Sequence, residues 1–321
     1  MRKVPFLSAL SSQGVLIALA LLLLFGWLRY DHFLGMFNVS TVLRYNSMFA
    51  LVALGMCFVI MTGGIDLSVG STAALGSVVS ALYSPYGTLA GTLAGVAAGL
   101  GVGILNGLFI VRLRILPFIA TLAAMLAANG LALLLAQDQS VSVSYDSGFT
   151  DLGQGDLFSL PIPAIIALVA YLCGSLILNF TSSGRTVLAI GGNEDASRLM
   201  GLPVDRVKFI VYVASGGLSG LAGVILASQF GAGQPIEGVG WELFAIASVV
   251  VGGTLLTGGV GSVGATLAGV MLLGLIFNVL NFENGLGWIS LSAYWQSVIR
   301  GMFLLFVVIL QSRLTKQEVH T

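Results

Sequence analysis

LPFIATLAAMLAANGLALLLA, residues 116–136, carries no charge, and Thr121 and Asn129 are its only polar side chains. A helix needs about 20 apolar residues to cross the hydrocarbon core of a bilayer, so this run reads as a membrane span. Pro117 sits near its start, where a missing N–H costs little. Working outward, further apolar runs lie at 10–29, 46–62, 69–84, 88–111, 161–180, 208–230, 242–256, 261–282 and 295–311, several of them short. The expected fold is all-α: a polytopic integral membrane protein of about ten transmembrane helices, with broken or re-entrant segments, forming one domain over residues 1–321.

Composition agrees. Of 321 residues 57% are hydrophobic and 8% charged, with a mean hydropathy of +1.02, against roughly 25% charged in a soluble domain. The chain lacks the residues for a charged skin. Its 43 glycines suit helices that pack closely in lipid, and a formal net charge of zero gives no reason to expect nucleic acid. Cys57 and Cys173 both fall inside apolar runs and read as small buried residues. At the N-terminus Arg2 and Lys3 precede an apolar run with no small-residue cleavage site after it, so it reads as a first membrane helix rather than a leader.

The basic residues set an orientation. With the N-terminus in the cytoplasm, Arg2, Lys3, Arg112, Arg114, Arg185, Arg198, Arg206, Lys208, Arg313 and Lys316 all fall inside. Only Arg29 and Arg44 fall outside, and Arg300 lies within the last span. Asp138, Asp146, Asp151, Asp156, Glu237 and Glu283 occupy outer loops. Both termini are then cytoplasmic. The polar, acidic loop 137–160 is extracytoplasmic, and the loop 181–207 is a structured cytoplasmic element.

MTGGIDLSVGS, residues 61–71, interrupts this apolar pattern with a carboxylate between two spans. An Asp at the centre of a membrane helix costs roughly 3 kcal/mol, and intramembrane acids usually face a cavity or a partner. Asp66 reads either as the cap of a broken helix starting near Leu67, helped by Ser68 and Ser71, or as a contact to cargo. VVVGGTLLTGGVGSVGA, 249–265, is a second break without a charge. TGGIDLSVGSTAALGS (62–77) resembles TGGVGSVGATLAG (257–269), a hint of internal duplication of the kind found in transporters built from repeats. Asn106, Thr121, Asn129, Ser215, Gln229, Thr254, Asn278 and Gln296 are lone polar residues inside spans, and Glu242 opens one. They read either as glue between helices or, as a set, as a path for hydroxyl-rich cargo. From these, Asp66, Ser68, Asn106, Thr121, Asn129, Gln229, Glu242 and Thr254 are the candidates for the translocation path or the helix breaks.

Catalytic chemistry is missing. His32 and His320 stand far apart in the sequence, and no Ser/His/Asp set can be assembled. None of Lys3, Lys208 and Lys316 follows a glycine, so there is no phosphate loop. If ATP is used, another polypeptide supplies the site. In the inner loop, Glu194–Met200 reads as a short helix capped by Asn193 and ended by Gly201, with Leu199 and Met200 as apolar knobs. Such a helix is either an amphipathic surface element or a docking finger.

Five ordered motifs carry a resemblance: GGIDLSVGS, PFIATLAAM at 117–125, AIGGNEDASRLMGLPVDRVK in the inner loop, GQPIEGVGWELFAIASVVVGGTLLTGGVGS at 233–262 and YWQSVIRG at 294–301. Together they resemble the permease subunits of bacterial ribose-type sugar ABC importers, and they cover nearly the whole chain. The resemblance implies alternating access in the bacterial cytoplasmic membrane and a second permease subunit, identical or a sister chain. It also implies a cytoplasmic ATPase that binds ATP and Mg, and an extracytoplasmic sugar-binding protein. It makes 191–201 the coupling helix, with Gly191, Gly192, Asn193, Glu194, Arg198 and Gly201 matching the family pattern. One departure stands out: relatives often carry ELDAIA where this chain has WELFAIA, so Phe244 replaces an acid. A same-superfamily permease for nucleosides or amino acids, or an ion-coupled carrier, is the alternative.

Overall fold

The computed structural model describes residues 4–285 together with 295, 298, 299, 301 and 302. Among them are twelve α-helices in chain order: α1 (Val4–Arg29), α2 (Met36–Met61), α3 (Val69–Tyr83), α4 (Thr88–Val111), α5 (Pro117–Ala136), α6 (Asp151–Gln154), α7 (Ile162–Phe180), α8 (Ser182–Gly192), α9 (Glu194–Leu199), α10 (Val204–Phe230), α11 (Trp241–Val251) and α12 (Val263–Gly285). Six of these, α2, α4, α5, α7, α10 and α12, are long and apolar enough to cross a membrane. The chain is a multi-pass membrane protein. The span expected at 295–311, and with it Arg300, Arg313 and Lys316, lies largely outside the described residues, as do Arg2 and Lys3.

Two expected spans are corrected. Helix α3 has 15 residues, and α11 has 11 residues. At a rise of about 1.5 Å per residue, they are about 22 Å and about 16 Å long. Both fall short of the ~30 Å hydrocarbon core. They are half-helices that begin inside the bundle. A third correction concerns α2, which starts at Met36 and not at 46. The apolar window opens only after Arg44, but that guanidinium does not end the helix. It donates to the carbonyls of Gly153 (2.8 Å) and Gly155 (3.4 Å) and pairs with Asp156 at 2.7 Å. Of the two cysteines, Cys57 is buried as expected, whereas Cys173 is exposed on α7.

Loops of distant sequence meet at each end. At one end β1 (Val141–Ser142) pairs antiparallel with β4 (Ala232–Gly233), and β2 (Asp156–Leu157) with β3 (Leu160–Pro161). These four short strands are the only β-structure among the described residues. Arg29–Glu283 (3.6 Å) and Arg44–Asp156 belong to the same end. At the opposite end lie α8, α9 and the two glycine-rich breaks.

The centre is held by α10, which packs against α2, α3 and α4. Its contact with α4 runs along Gly95, Gly99, Gly103 and Gly107, one every four residues and so on one face of the helix, while Gly91, next in that row, packs against Phe149 and Ser80 instead. A methyl group on Gly99 would stand 2.7 Å from the Cα of Gly220, and one on Gly103 2.9 Å from the Cα of Val213. Backbone meets backbone here, the small-residue packing that lipid demands where no hydrophobic effect drives helices together. The largest core cluster joins α2, α3, α7, α10 and α11, with Leu51, Ile60, Tyr212 and Ile225 fully buried in it.

After α10 the chain turns back into the bundle. A methyl on Gly233 would lie 2.8 Å from the Ser77 carbonyl, and Gly238 packs against the backbone of Gly70. Between Gly70 and Ser77 α3 rises about 10 Å, so residues 233–238 descend that far along it. There α11 begins, close to the start of α3, and the two half-helices run to opposite ends.

Candidate functional site

Asp66 is 1% exposed and makes no ion pair among the described residues. Its Oδ1 accepts from the Ser68 backbone N–H (3.0 Å) and the Ser68 hydroxyl (2.6 Å), while Oδ2 accepts from the Ser215 hydroxyl of α10 (2.9 Å). The Asn106 amide of α4 donates to the Ser68 hydroxyl (2.9 Å), and Thr121 of α5 donates to the Ile65 carbonyl (3.3 Å). The break is thereby bonded to three neighbouring helices at its own depth. Local chemistry explains the shape. Gly63 takes a φ of 79°, so the chain leaves α2 through a left-handed residue. Asp66 then bonds two residues ahead as an Asx turn. The helix it leads into starts at Val69, with Ser68 in the cap position, so Asp66 organises the approach to α3 rather than capping a helix at Leu67.

The other expected residues are dispersed. Asn129 lies on α5 about 12 Å beyond Thr121. Gln229 is at the far end of α10, where its carbonyl accepts from Gln154 (3.1 Å). Glu242 opens α11 with its carboxylate facing Gly70. Thr254 is fully buried in the second break, beside Cys57. Ser68, Asn106 and Thr121 therefore gather around Asp66, and the remaining four do not.

The second element is α9. The Asn193 side chain accepts from the Ala196 N–H at 2.8 Å, a true N-cap. Gly201 closes the helix with a φ of 77°, the left-handed ending that glycine favours. Glu194 pairs with Arg198 (3.0 Å) and with Lys208 (2.8 Å), and Arg198 also pairs with Asp205 (2.5 Å). Partial burial pushes the Glu194 carboxyl up, but the Lys208 and Arg198 bonds outweigh it and hold it below its ordinary value. These charges fasten α9 to the first turn of α10. What α9 presents outward is Leu199, 90% exposed, and Met200, 68% exposed. Behind α9, Gly191 packs against the Met61 carbonyl and the Gly258–Gly259 backbone, and Gly259 N–H donates to Met61 O at 3.0 Å. Gly258 in turn packs on Gly63. The α8–α9 element therefore rests on both breaks at once.

Sequence reasoning names Glu194 and Arg198 but not their partners Asp205 and Lys208. Spacing offers a signal for one of these: Asp205 stands seven residues after Arg198, across the turn at Gly201. No group of three or more metal-ligating side chains exists among the described residues.

A membrane bundle with two interrupted helices, a buried acid at one break and an exposed finger at one end is the build of a transport protein. Residues 38–308 match the family described as branched-chain amino acid transport system / permease component. The chain is 38% identical over 315 residues to the ribose import permease protein RbsC of Bacillus subtilis (strain 168), covering 97% of this chain and 96% of that one. It is 38% identical over 298 residues to the L-arabinose transport system permease protein AraH of Escherichia coli (strain K12), 92% and 89% of the two chains. It is 35% identical over 309 residues to RbsC of the same Escherichia coli strain, 95% and 94% of the two. No solved structure matches. The chain belongs to this family of transport-system permease components.

Proposed function

We propose that the chain is the membrane-spanning permease subunit of an ATP-driven, binding-protein-dependent importer for a monosaccharide, working by alternating access. The observation that carries this reading is full-length similarity to permeases named for ribose and arabinose. The family's printed description names branched-chain amino acids, but two separate sugar permeases align over nine-tenths of this chain. In this reading ATP and Mg bind a cytoplasmic ATPase, and α9 docks in a groove of that subunit through Leu199 and Met200. Gly191, Gly192, Asn193, Glu194, Arg198 and Gly201 shape the docking element. A second permease subunit, identical or a sister chain, completes the path, and a sugar-binding protein delivers cargo at the 137–160 end. That end faces the outside of the bacterial cytoplasmic membrane, and both termini lie inside. The location of Arg29 and Arg44 supports this orientation, since both outer cations are paired with acids there.

The test is uptake of labelled D-ribose and L-arabinose by vesicles holding the permease, its ATPase and its binding protein. Uptake requires all three and ATP. Transport that persists with the ATPase and binding protein omitted refutes the reading in favour of an ion-coupled carrier. Uptake of branched-chain amino acids in place of the sugars overturns the cargo class.

A further inference from the structure

Between α2, α11 and α12 lies a cavity of about 780 Å³, within the ~300–1,000 Å³ common for small-molecule pockets. Tyr45, Asn46 and Phe49 of α2 line it, with Trp241 and Phe244 of α11 and Phe277 of α12. These positions fall in the first part of α2 and the latter part of α12, so the cavity occupies the half of the bundle nearer the 137–160 end. Because α11 starts inside the bundle, its first turns lie beneath that space. Phe49 meets Trp241 with ring centroids 4.8 Å apart and Phe244 at 4.4 Å, and Phe244 meets Phe277 at 5.9 Å, all as tilted pairs. Three separate elements thus build one continuous aromatic surface.

Two amides on the wall are held in fixed orientations. The Asn46 side-chain N–H donates to the Val42 carbonyl (2.8 Å), and the Asn278 amide exchanges hydrogen bonds with Asn38 at 2.8 and 3.1 Å. The described lining residues include no Lys or Arg, and their one carboxylate is that of Glu237, exposed on the segment that descends before α11. A neutral monosaccharide suits the wall: its C–H face lies against aromatic rings while its hydroxyls meet amide groups or water.

We propose that this cavity is a transit subsite for the monosaccharide cargo, with Phe244 as a specificity-determining residue whose ring packs against the sugar. The proposal rests on the importer reading above. The volume exceeds one sugar ring, so water accompanies the cargo and the hold is loose, as transit requires. Phe244 is also the position at which the chain departs from its resemblance, and here its ring is one wall of the space.

The test uses the complete complex of permease, ATPase and binding protein in proteoliposomes, with labelled neutral pentoses and hexoses as probes. Phe244→Leu keeps an apolar side chain but removes the ring, and uptake falls at least tenfold, while Phe244→Tyr stays within threefold of wild type. Phe277→Leu, on a different helix, lowers uptake in the same direction. Co-purification of the ATPase at wild-type yield checks that each variant assembles. ATP-dependent uptake that is unchanged in both leucine variants overturns the subsite and leaves the importer reading standing. Wild-type uptake that needs no ATPase, or none with any probe, overturns both.

Discussion

Replacement of Asp66 separates a fastener from a charge. Its carboxylate accepts three hydrogen bonds, from the Ser68 N–H, the Ser68 hydroxyl and the Ser215 hydroxyl. Asp66→Ala leaves all three donors behind. The Ser68 N–H is fixed by the backbone and carries a cost of about 1–3 kcal/mol when orphaned. The two hydroxyls can turn elsewhere, and side-chain bonds in membrane bundles average about 0.6 kcal/mol each. The sum is a loss of roughly 2–4 kcal/mol. Asp66→Asn keeps Oδ1 for both Ser68 donors, and Ser215 can turn to accept from Nδ2, so that variant stays within about 1 kcal/mol of wild type. The assay is unfolding of the purified protein in mixed micelles by added SDS, followed by tryptophan fluorescence. Asn as damaging as Ala refutes this reasoning, because the negative charge itself, and hence a cation or cargo, would then be what matters. An Ala variant of wild-type stability refutes it from the other side.

Other perturbations have equally definite outcomes. Gly99→Leu forces α4 off α10, where a methyl group would already stand 2.7 Å from the Gly220 Cα. It should cost about 1–3 kcal/mol or more in the same unfolding assay. Leu199→Glu puts a charge on the most exposed apolar residue of α9, and should abolish co-purification of the ATPase while the permease still inserts. Glu194→Ala with Arg198→Ala releases α9 from Asp205 and Lys208, and should uncouple sugar-stimulated ATP turnover from uptake. Normal stimulated turnover and uptake in that variant would contradict the coupling role. Glu194 is held below its ordinary value. Its contribution to anchoring α9 is therefore complete above the ordinary glutamate range of about pH 4.3 and declines as pH falls through the depressed value. Amide hydrogen exchange over 194–208 should rise, relative to the buried helices, between pH 5 and pH 3.

Much of this architecture is legible in apolar run length and charge placement. Segments such as 116–136 and 88–111 are helices within a residue or two of their apolar limits. The short helix after Asn193 is readable as well, because a cap, an acidic first turn and a closing glycine all agree. The breaks beside the half-helices are legible in MTGGIDLSVGS and VVVGGTLLTGGVGSVGA, but their failure to span is not, since hydropathy counts apolar residues and is blind to the depth at which a helix begins. Arg44 misleads for a related reason: a lone cation at the edge of an apolar window looks like a boundary until the loop carbonyls that solvate it are known. The path candidates are polar residues in oily surroundings, a criterion that gathers Ser68, Asn106 and Thr121 around Asp66 but cannot tell that Gln229 sits at the other end. It also passes over aromatic rings, and so misses Phe49 and Phe277. The four-residue glycine spacing on α4 is in plain view, and it predicts a close helix contact by itself.

Where Gly191 rests on Met61 and Gly258, the atoms nearest it are all main chain. So close an approach leaves no room for a side chain at 191, and any larger residue there would pry it open. A hybrid made to accept a foreign motor could therefore exchange the outward surface at 199–200 freely, provided the seat beneath it stayed bare. Interchangeability at the rim and invariance one turn deeper would be the signature of that arrangement across working chimeras.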